Sequence, residues 1–335
     1  MRTTVCSLAV LVAASGLAAC DFTPTLDIET PEYEAGVAVR GFLVADSVTV
    51  IRLSESWNPY EGRLSNNRRY RPETIPAVVT LLRGGDVVEV LTVQSETCED
   101  YGEYDPTNPN PLPTFYECGP YGGTVPIEAG ATYTLRVETA DLPTAEATVV
   151  VPRRPSLDVA EEPGGADAPR RFRVRLGDPP GAGDLYGLSL LRTDQVFYSY
   201  ECDENGVCRD TTFVTPGVGR FLTSFETSDP VLVAAAREFD ENITFASFPD
   251  DTFEGSEKTF TISPSRNYGE ATEGGFIVQV AALSADIYDT YQISYFGGGD
   301  DNPFAEPANL PSNVEGGYGL VGGVALAEAV IGRRE

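Results

Sequence analysis

The sequence predicts a mainly β protein, built as two sandwich-like β domains with one or two short helices in the C-terminal half. Three observations predict it. Stretches such as Thr132-Tyr133-Thr134-Leu135-Arg136-Val137-Glu138 alternate strictly, as a half-buried strand does. Turn formers are abundant, with 33 Gly and 25 Pro in 335 residues. Segments with a helical period and a capping residue are few.

Composition narrows the functions. The formal charge is -28, from 51 Asp+Glu against 23 Lys+Arg, and Lys258 is the only lysine. Nucleic-acid binding needs a basic footprint, and this surface repels phosphate. There is no histidine, which excludes imidazole as base, nucleophile or metal ligand. The acidity is spread along the chain and reads as a solvated surface suited to a salty habitat, more than as a patch steering cationic partners.

Taken from the start of the chain, residues 1–19 read as a signal peptide. Arg2 supplies the positive end, and Val5 to Ala14 is an apolar run of secretory length, too short to span a bilayer. Leu17-Ala18-Ala19-Cys20 resembles the lipobox of bacterial lipoproteins, where cleavage before a diacylated cysteine leaves it as the new N-terminus. Acyl chains such as palmitate on Cys20 would anchor the mature chain, each buried methylene contributing about 0.8 kcal/mol. Residues 20–35 are acidic, proline-containing and aperiodic, a tether between membrane and body.

Strand-like patterning starts at Gly36 and defines an N-terminal domain over 36–152. Leu81-Leu82-Arg83-Gly84-Gly85-Asp86-Val87-Val88 reads as two strands joined by a glycine turn. Residues 95–124 form a long loop rich in Pro, Asn and Tyr. Gly130-x-x-Tyr133 before a strand fits either the tyrosine corner of immunoglobulin-like sandwiches or a plain core tyrosine. Val149-Val150-Val151-Pro152 closes the block, and 153–170, rich in Arg, Pro, Glu and Gly, reads as a linker.

The C-terminal β-rich domain, 171–335, opens with Arg171-Phe172-Arg173-Val174-Arg175-Leu176, apolar on one face. Further strands are expected in 185–201, 207–214 and 259–262. Ser284 can cap a helix running to Gln292, with Tyr288, Tyr291 and Tyr295 on one side, and Pro230–Asp240 is a second candidate.

Beyond Cys20 the mature chain has Cys98, Cys118, Cys202 and Cys208. An even number in an exported protein reads as two disulfides. Of three connectivities, Cys98–Cys118 and Cys202–Cys208 are favoured. A three-residue loop at Glu204-Asn205-Gly206 would set Cys202 opposite Cys208. Zinc fits poorly, with no Cys-x-x-Cys spacing and no histidine.

Three motifs lie in the last third of the chain: Leu283-Ser284-Ala285-Asp286-Ile287-Tyr288, Asn302-Pro303-Phe304-Ala305-Glu306-Pro307, and Ser312-Asn313-Val314-Glu315-Gly316-Gly317-Tyr318-Gly319-Leu320-Val321-Gly322-Gly323. Their order resembles the domain of unknown function 4249 family of envelope lipoproteins, as does Phe248-Pro249-Asp250-Asp251-Thr252-Phe253-Glu254-Gly255. The resemblance implies no established activity. It implies a cell-envelope protein, lipid-anchored at the outer membrane and facing the periplasm or the outside, from a family often encoded beside TonB-dependent outer-membrane transporters. The same glycines and prolines also admit a purely structural role as tight bends and close backbone contacts.

No cofactor and no catalytic residue is expected, and no dinucleotide or phosphate-binding fingerprint is present. Acidic clusters at Glu96–Asp105, Asp203-Glu204 and Asp300-Asp301-Asn302 lack the spacing of a calcium loop, so the metal question stays open. The leading expectation is a non-enzymatic binding or accessory partner of a TonB-dependent β-barrel, with Tyr101, Tyr104, Phe115, Tyr116 and Tyr121 as contact surface. A free-standing adhesion or glycan- or protein-binding sandwich is the alternative, and a hydrolase using an Asp/Glu pair is third.

Overall fold

The computed structural model describes residues 34–56, 75–94, 119–164, 169–181, 183–202, 208–215, 219–235, 243–265, 275–296 and 311–332. The protein is mainly β, and its two described helices are short and lie in the C-terminal half. In chain order the first strands are β1 (Val37–Val44), β2 (Val48–Glu55), β3 (Val78–Arg83), β4 (Asp86–Val93), β5 (Tyr121–Pro126), β6 (Thr132–Glu138) and β7 (Ala145–Val150). Then come β8 (Ser156–Glu161), β9 (Phe172–Gly177), β10 (Leu185–Arg192), β11 (Gln195–Cys202), β12 (Cys208–Thr215), β13 (Phe221–Thr223) and β14 (Phe225–Thr227). Helix α1 (Pro230–Ala235) precedes β15 (Phe245–Pro249), β16 (Glu257–Pro264) and β17 (Phe276–Leu283). Helix α2 (Ala285–Phe296), β18 (Val314–Glu315) and β19 (Tyr318–Ile331) complete the described chain.

Local chemistry explains several of these elements. The β3–β4 hairpin turns on Gly84 and Gly85, both at positive φ, as a two-residue loop of this twist requires. Strand β6 buries Tyr133, Leu135 and Val137, the apolar half of its alternation. Gly130 has φ 77°, and the Tyr133 hydroxyl accepts from the Glu128 backbone N–H at 3.0 Å. That bond from a core tyrosine to upstream backbone is the tyrosine-corner arrangement. Helix α1 starts with proline at its first position, and Asp229 caps it by accepting from Val231 N–H at 2.9 Å.

One large sheet runs β13-β10-β17-β19-β1-β2-β5-β4-β3-β6-β7-β18, with β15 also pairing β10. A twisted sheet of this many strands curls. The curl brings β7 against β19, where a Cβ on Gly323 would meet the Val150 carbonyl oxygen at 2.4 Å. Val39, Leu43, Ile51, Leu81, Leu135, Val149 and Val321 fill the resulting interior. A second sheet, β14-β16-β9-β8, packs on the C-terminal part of the first. Phe172 meets Phe276 across the layers at 5.4 Å between ring centres, and Phe248 meets Phe260 at 5.3 Å.

Strand β19 ties the two halves together. Its first residues pair in parallel with β1, Ala38↔Tyr318 through Val44↔Val324. Its last pair antiparallel with β17, Leu283↔Val324 through Phe276↔Ile331. The blocks 36–152 and 171–335 therefore share one sheet. Inside the expected linker, residues 156–161 form β8, paired along β9 with Leu157↔Leu176 and Val159↔Val174. The departure has a physical reason: Leu157 and Val159 are only half-buried, so this edge strand carries little hydrophobic signal amid charged neighbours.

Candidate functional site

Three strand ends converge where the two sheets meet. Asp178 follows β9, Asp184 precedes β10 and Asp250 follows β15. Pairing of β10 with β15 sets Leu185 opposite Pro249, and Asp250 N–H donates to the Asp184 carbonyl at 3.0 Å. Pairing of β9 with β16 continues into Asp178 N–H donating to the Ser256 carbonyl at 3.1 Å. The three side chains each bring a carboxylate oxygen within 4.8 Å of the others.

Their surroundings are largely closed. Asp178 is 8% exposed and Asp250 1%. The Tyr186 hydroxyl donates to Asp178 Oδ1, and Gly255 N–H donates to Asp178 Oδ2 at 2.5 Å. Tyr186 is itself buried against Phe248 and Phe253. Burial, then the hydrogen bond to Asp178, raises the Tyr186 hydroxyl far above its ordinary range, so it remains a donor. The Asp184 carboxyl is also raised, first by burial, then by the Asp178 and Asp250 charges and a hydrogen bond to Asp178, with Arg153 opposing. Asp250 Oδ2 is buried and has no hydrogen-bond partner among the described residues.

A second node gathers the C-terminal motifs. Asn313 Nδ2 donates to Asp286 Oδ2 at 3.0 Å and to the Val321 carbonyl at 2.7 Å, while Asn313 Oδ1 accepts from Val321 N–H at 3.0 Å. Ser284 N–H donates to the Gly323 carbonyl at 2.9 Å, and Ser284 Oγ accepts from Gly323 N–H at 3.1 Å. The serine expected to cap α2 with its hydroxyl thus spends that oxygen on β19. The Ser284, Asp286 and Asn313 side chains clamp helix α2 to β19, which is the structural role their sequence admits.

Of the aromatic residues expected as contact surface, Tyr121 is described, and it corrects the expectation. It is 3% exposed, its hydroxyl donating to the Ile75 carbonyl at 2.9 Å and accepting from Ala77 N–H at 2.9 Å. Tyr121 begins β5 with its ring turned inward, so it is a core residue that ties down the segment entering β3. Tyr101, Tyr104, Phe115 and Tyr116 lie outside the described residues, as do Cys20, Cys98 and Cys118 and the acidic clusters at 96–105, 203–204 and 300–302. In the β11–β12 ribbon the register sets Cys202 directly opposite Cys208.

The carboxylate trio escaped sequence reasoning because its members come from three strand ends. Two signals pointed near it: Asp178 and Asp184 bracket a Pro-Pro-Gly-Ala-Gly turn, and Asp250 sits in the Phe248–Gly255 motif.

Among solved structures, the chain is similar to Salmonella alpha-2-macroglobulin reacted with methylamine, at 11% identity and TM-score 0.21, over 90% of this chain and 15% of that one. It is also similar to a Corynebacterium diphtheriae protein described as membrane anchored, at 12% identity and TM-score 0.19, over 76% of this chain and 55% of that one. The chain thus spans a small part of the first and about half of the second, and likenesses of this size carry no argument about function. No curated protein matches it. The family model described as Domain of unknown function (DUF4249) matches residues 23–329, nearly the whole body and both motif-bearing nodes, and the chain belongs to that family.

Proposed function

We propose that this protein is a lipid-anchored lipoprotein of the outer membrane that works without catalysis of its own, as a binding or accessory partner of a TonB-dependent transporter. The observation that carries the reading is Leu17-Ala18-Ala19-Cys20 after a short apolar run, followed by an acidic tether and a β body. Among the described residues no helix is long and apolar enough to cross a membrane, so attachment in this reading rests on Cys20. The non-catalytic part has physical support. In the one described carboxylate trio Asp178 and Asp250 are buried and Tyr186 holds Asp178, leaving only Asp184 half-buried, whereas acid–base cleavage needs two carboxyls open to substrate and water. Exposed Phe42, Val48 and Val50 lie on the outer face of β1 and β2, beside β5, and offer described apolar surface for a partner.

Affinity purification of the tagged chain from detergent-solubilised envelopes, with mass spectrometry, tests the reading. A stoichiometric TonB-dependent β-barrel that survives high salt is the expected result. Acylated protein recovered alone would sink the stable complex and favour a free-standing surface binder. In parallel, Cys20→Ser is expected to move the protein from the membrane to the soluble fraction; membrane retention of that variant would remove the lipid anchor from the reading.

Export also implies that Cys98–Cys118 and Cys202–Cys208 are disulfides. Peptide mapping of unreduced protein is expected to recover both cross-links, the second favoured by the cross-strand register of the ribbon. Free thiols at all four positions would contradict an oxidising compartment.

A further inference from the structure

We infer that Asp178, Asp184 and Asp250 form a binding site for a calcium ion at the end of the C-terminal sandwich. Acidic residues cluster often on so acidic a chain, and clustering alone would say nothing. The second observation is Asp250. Its residue is 1% exposed, and its Oδ2 has no hydrogen-bond partner among the described residues, although a carboxylate oxygen of this side chain lies within 4.8 Å of those of Asp178 and Asp184. A buried carboxylate oxygen left without a donor is costly, and native proteins rarely keep one unless something satisfies it. The neighbouring donors are already committed: the Tyr186 hydroxyl and Gly255 N–H are both spent on Asp178. The one cation that acts on the trio, Arg153 on Asp184, makes no salt bridge with it, and no described salt bridge reaches any of the three carboxylates.

The donor set selects the kind of cation. Three carboxylates with no nitrogen or sulfur ligand suit a hard ion. Oxygens bound to one calcium at about 2.3–2.6 Å can lie up to about 5 Å apart, and the three carboxylate oxygens, all within 4.8 Å of one another, fit inside that span. Magnesium demands a near-ideal octahedron at about 2.0–2.1 Å and gives up its waters reluctantly, so a mostly buried set of protein carboxylates suits it less. The trio therefore suits calcium better than magnesium. The placement also gives the ion a structural task, because its three ligands come from three strand ends, two in the large sheet and one in the small. An ion there would pin the two layers to each other. This inference does not depend on the proposed lipid anchor or partner.

The test is thermal unfolding of the full-length chain in detergent after EGTA treatment, followed by circular dichroism with and without CaCl2. The expected result is a rise in Tm of about 5 °C once calcium exceeds Kd roughly a hundredfold, reversed by EGTA and smaller with MgCl2. Asp250→Asn is expected to abolish the rise while leaving the calcium-free Tm unchanged or higher, since it removes one of three repelling charges. A residue with only a structural role would lower the calcium-free Tm instead. If Asp250→Asn does not fold, Asp184→Asn, whose side chain is less buried, decides by the same reading. Terbium emission excited through tyrosine should report the same loss, Tyr186 being in contact with Asp178. Absence of any calcium-dependent rise in the unmodified chain, or a rise that survives both substitutions, overturns the site.

Discussion

Replacing Arg170 with alanine is expected to cost about 3–5 kcal/mol of folding stability, the range for breaking a buried charged pair by removing one partner. Arg170 is 1% exposed at its side chain. Its Nε and Nη2 donate to the two oxygens of Glu161 at 3.1 and 2.6 Å, and Nη2 also donates to the Gly332 carbonyl at 2.8 Å. The guanidinium stands 5.3 Å from the ring centres of both Phe172 and Phe276. One side chain thus joins the edge strand β8, the strand β9 beside it, β17 of the other sheet and the end of β19. Alanine would leave Glu161 facing a cavity, strip the Gly332 carbonyl of its donor and remove the cation from between two rings. Urea denaturation followed by circular dichroism checks the figure. Arg170→Met, which keeps the volume, should recover part of the packing loss but not the charge loss, and Glu161→Gln in the same background should reduce the difference further. A cost under about 1 kcal/mol would mean that the pair behaves as a solvated surface contact.

Sequence reasoning reached the elements that carry their own local signature. The Gly84-Gly85 hairpin, the alternation of β6, the Ser284-led helix and the Pro230 helix each have a turn residue, a period or a cap that acts within a few residues. It missed what depends on distant partners. Strand β8 is stabilised by β9 and by Arg170, not by its own burial, so nothing in residues 153–170 announces a strand. The single sheet joining both halves follows from β19 pairing with β1, a contact between the two ends of the described body that no local pattern encodes.

The site was legible to a smaller degree. Tyr121 falls within the polar, proline-rich stretch 95–124, whose composition predicts an exposed loop, yet it is the first residue of β5 and faces inward. Position in a strand decided its fate, and that position is set by pairing with β2 and β4. The trio of Asp178, Asp184 and Asp250 needs three strand registers to be known at once. Acidic runs in loops are contiguous in sequence, while the three carboxylates that meet lie at positions 178, 184 and 250, on separate strand ends.

Gly319→Ala is expected to be nearly as damaging as the loss of Arg170, at about 3–5 kcal/mol, and it tests what the family's C-terminal motif is for. Gly319 has φ 106°, and a Cβ there would lie 2.0 Å from the Val39 carbonyl oxygen, its own register partner in β1. Neither backbone can yield without opening the parallel pairing that joins the halves. Gly85 provides the control: its φ of 93° is equally unsuited to alanine, but nothing lies within 4 Å of the added carbon. Gly85→Ala should therefore show the backbone strain alone, about 1 kcal/mol. Equal costs for the two variants would mean that β19 can shift away from β1 freely. A markedly larger cost at Gly319 would assign the glycines of Ser312–Gly323 to strand closure, with Asn313 and Ser284 holding α2 against the same strand. On that account the glycine-rich segment Ser312–Gly323 is a structural seam, and ligand or partner specificity is to be sought elsewhere on the body.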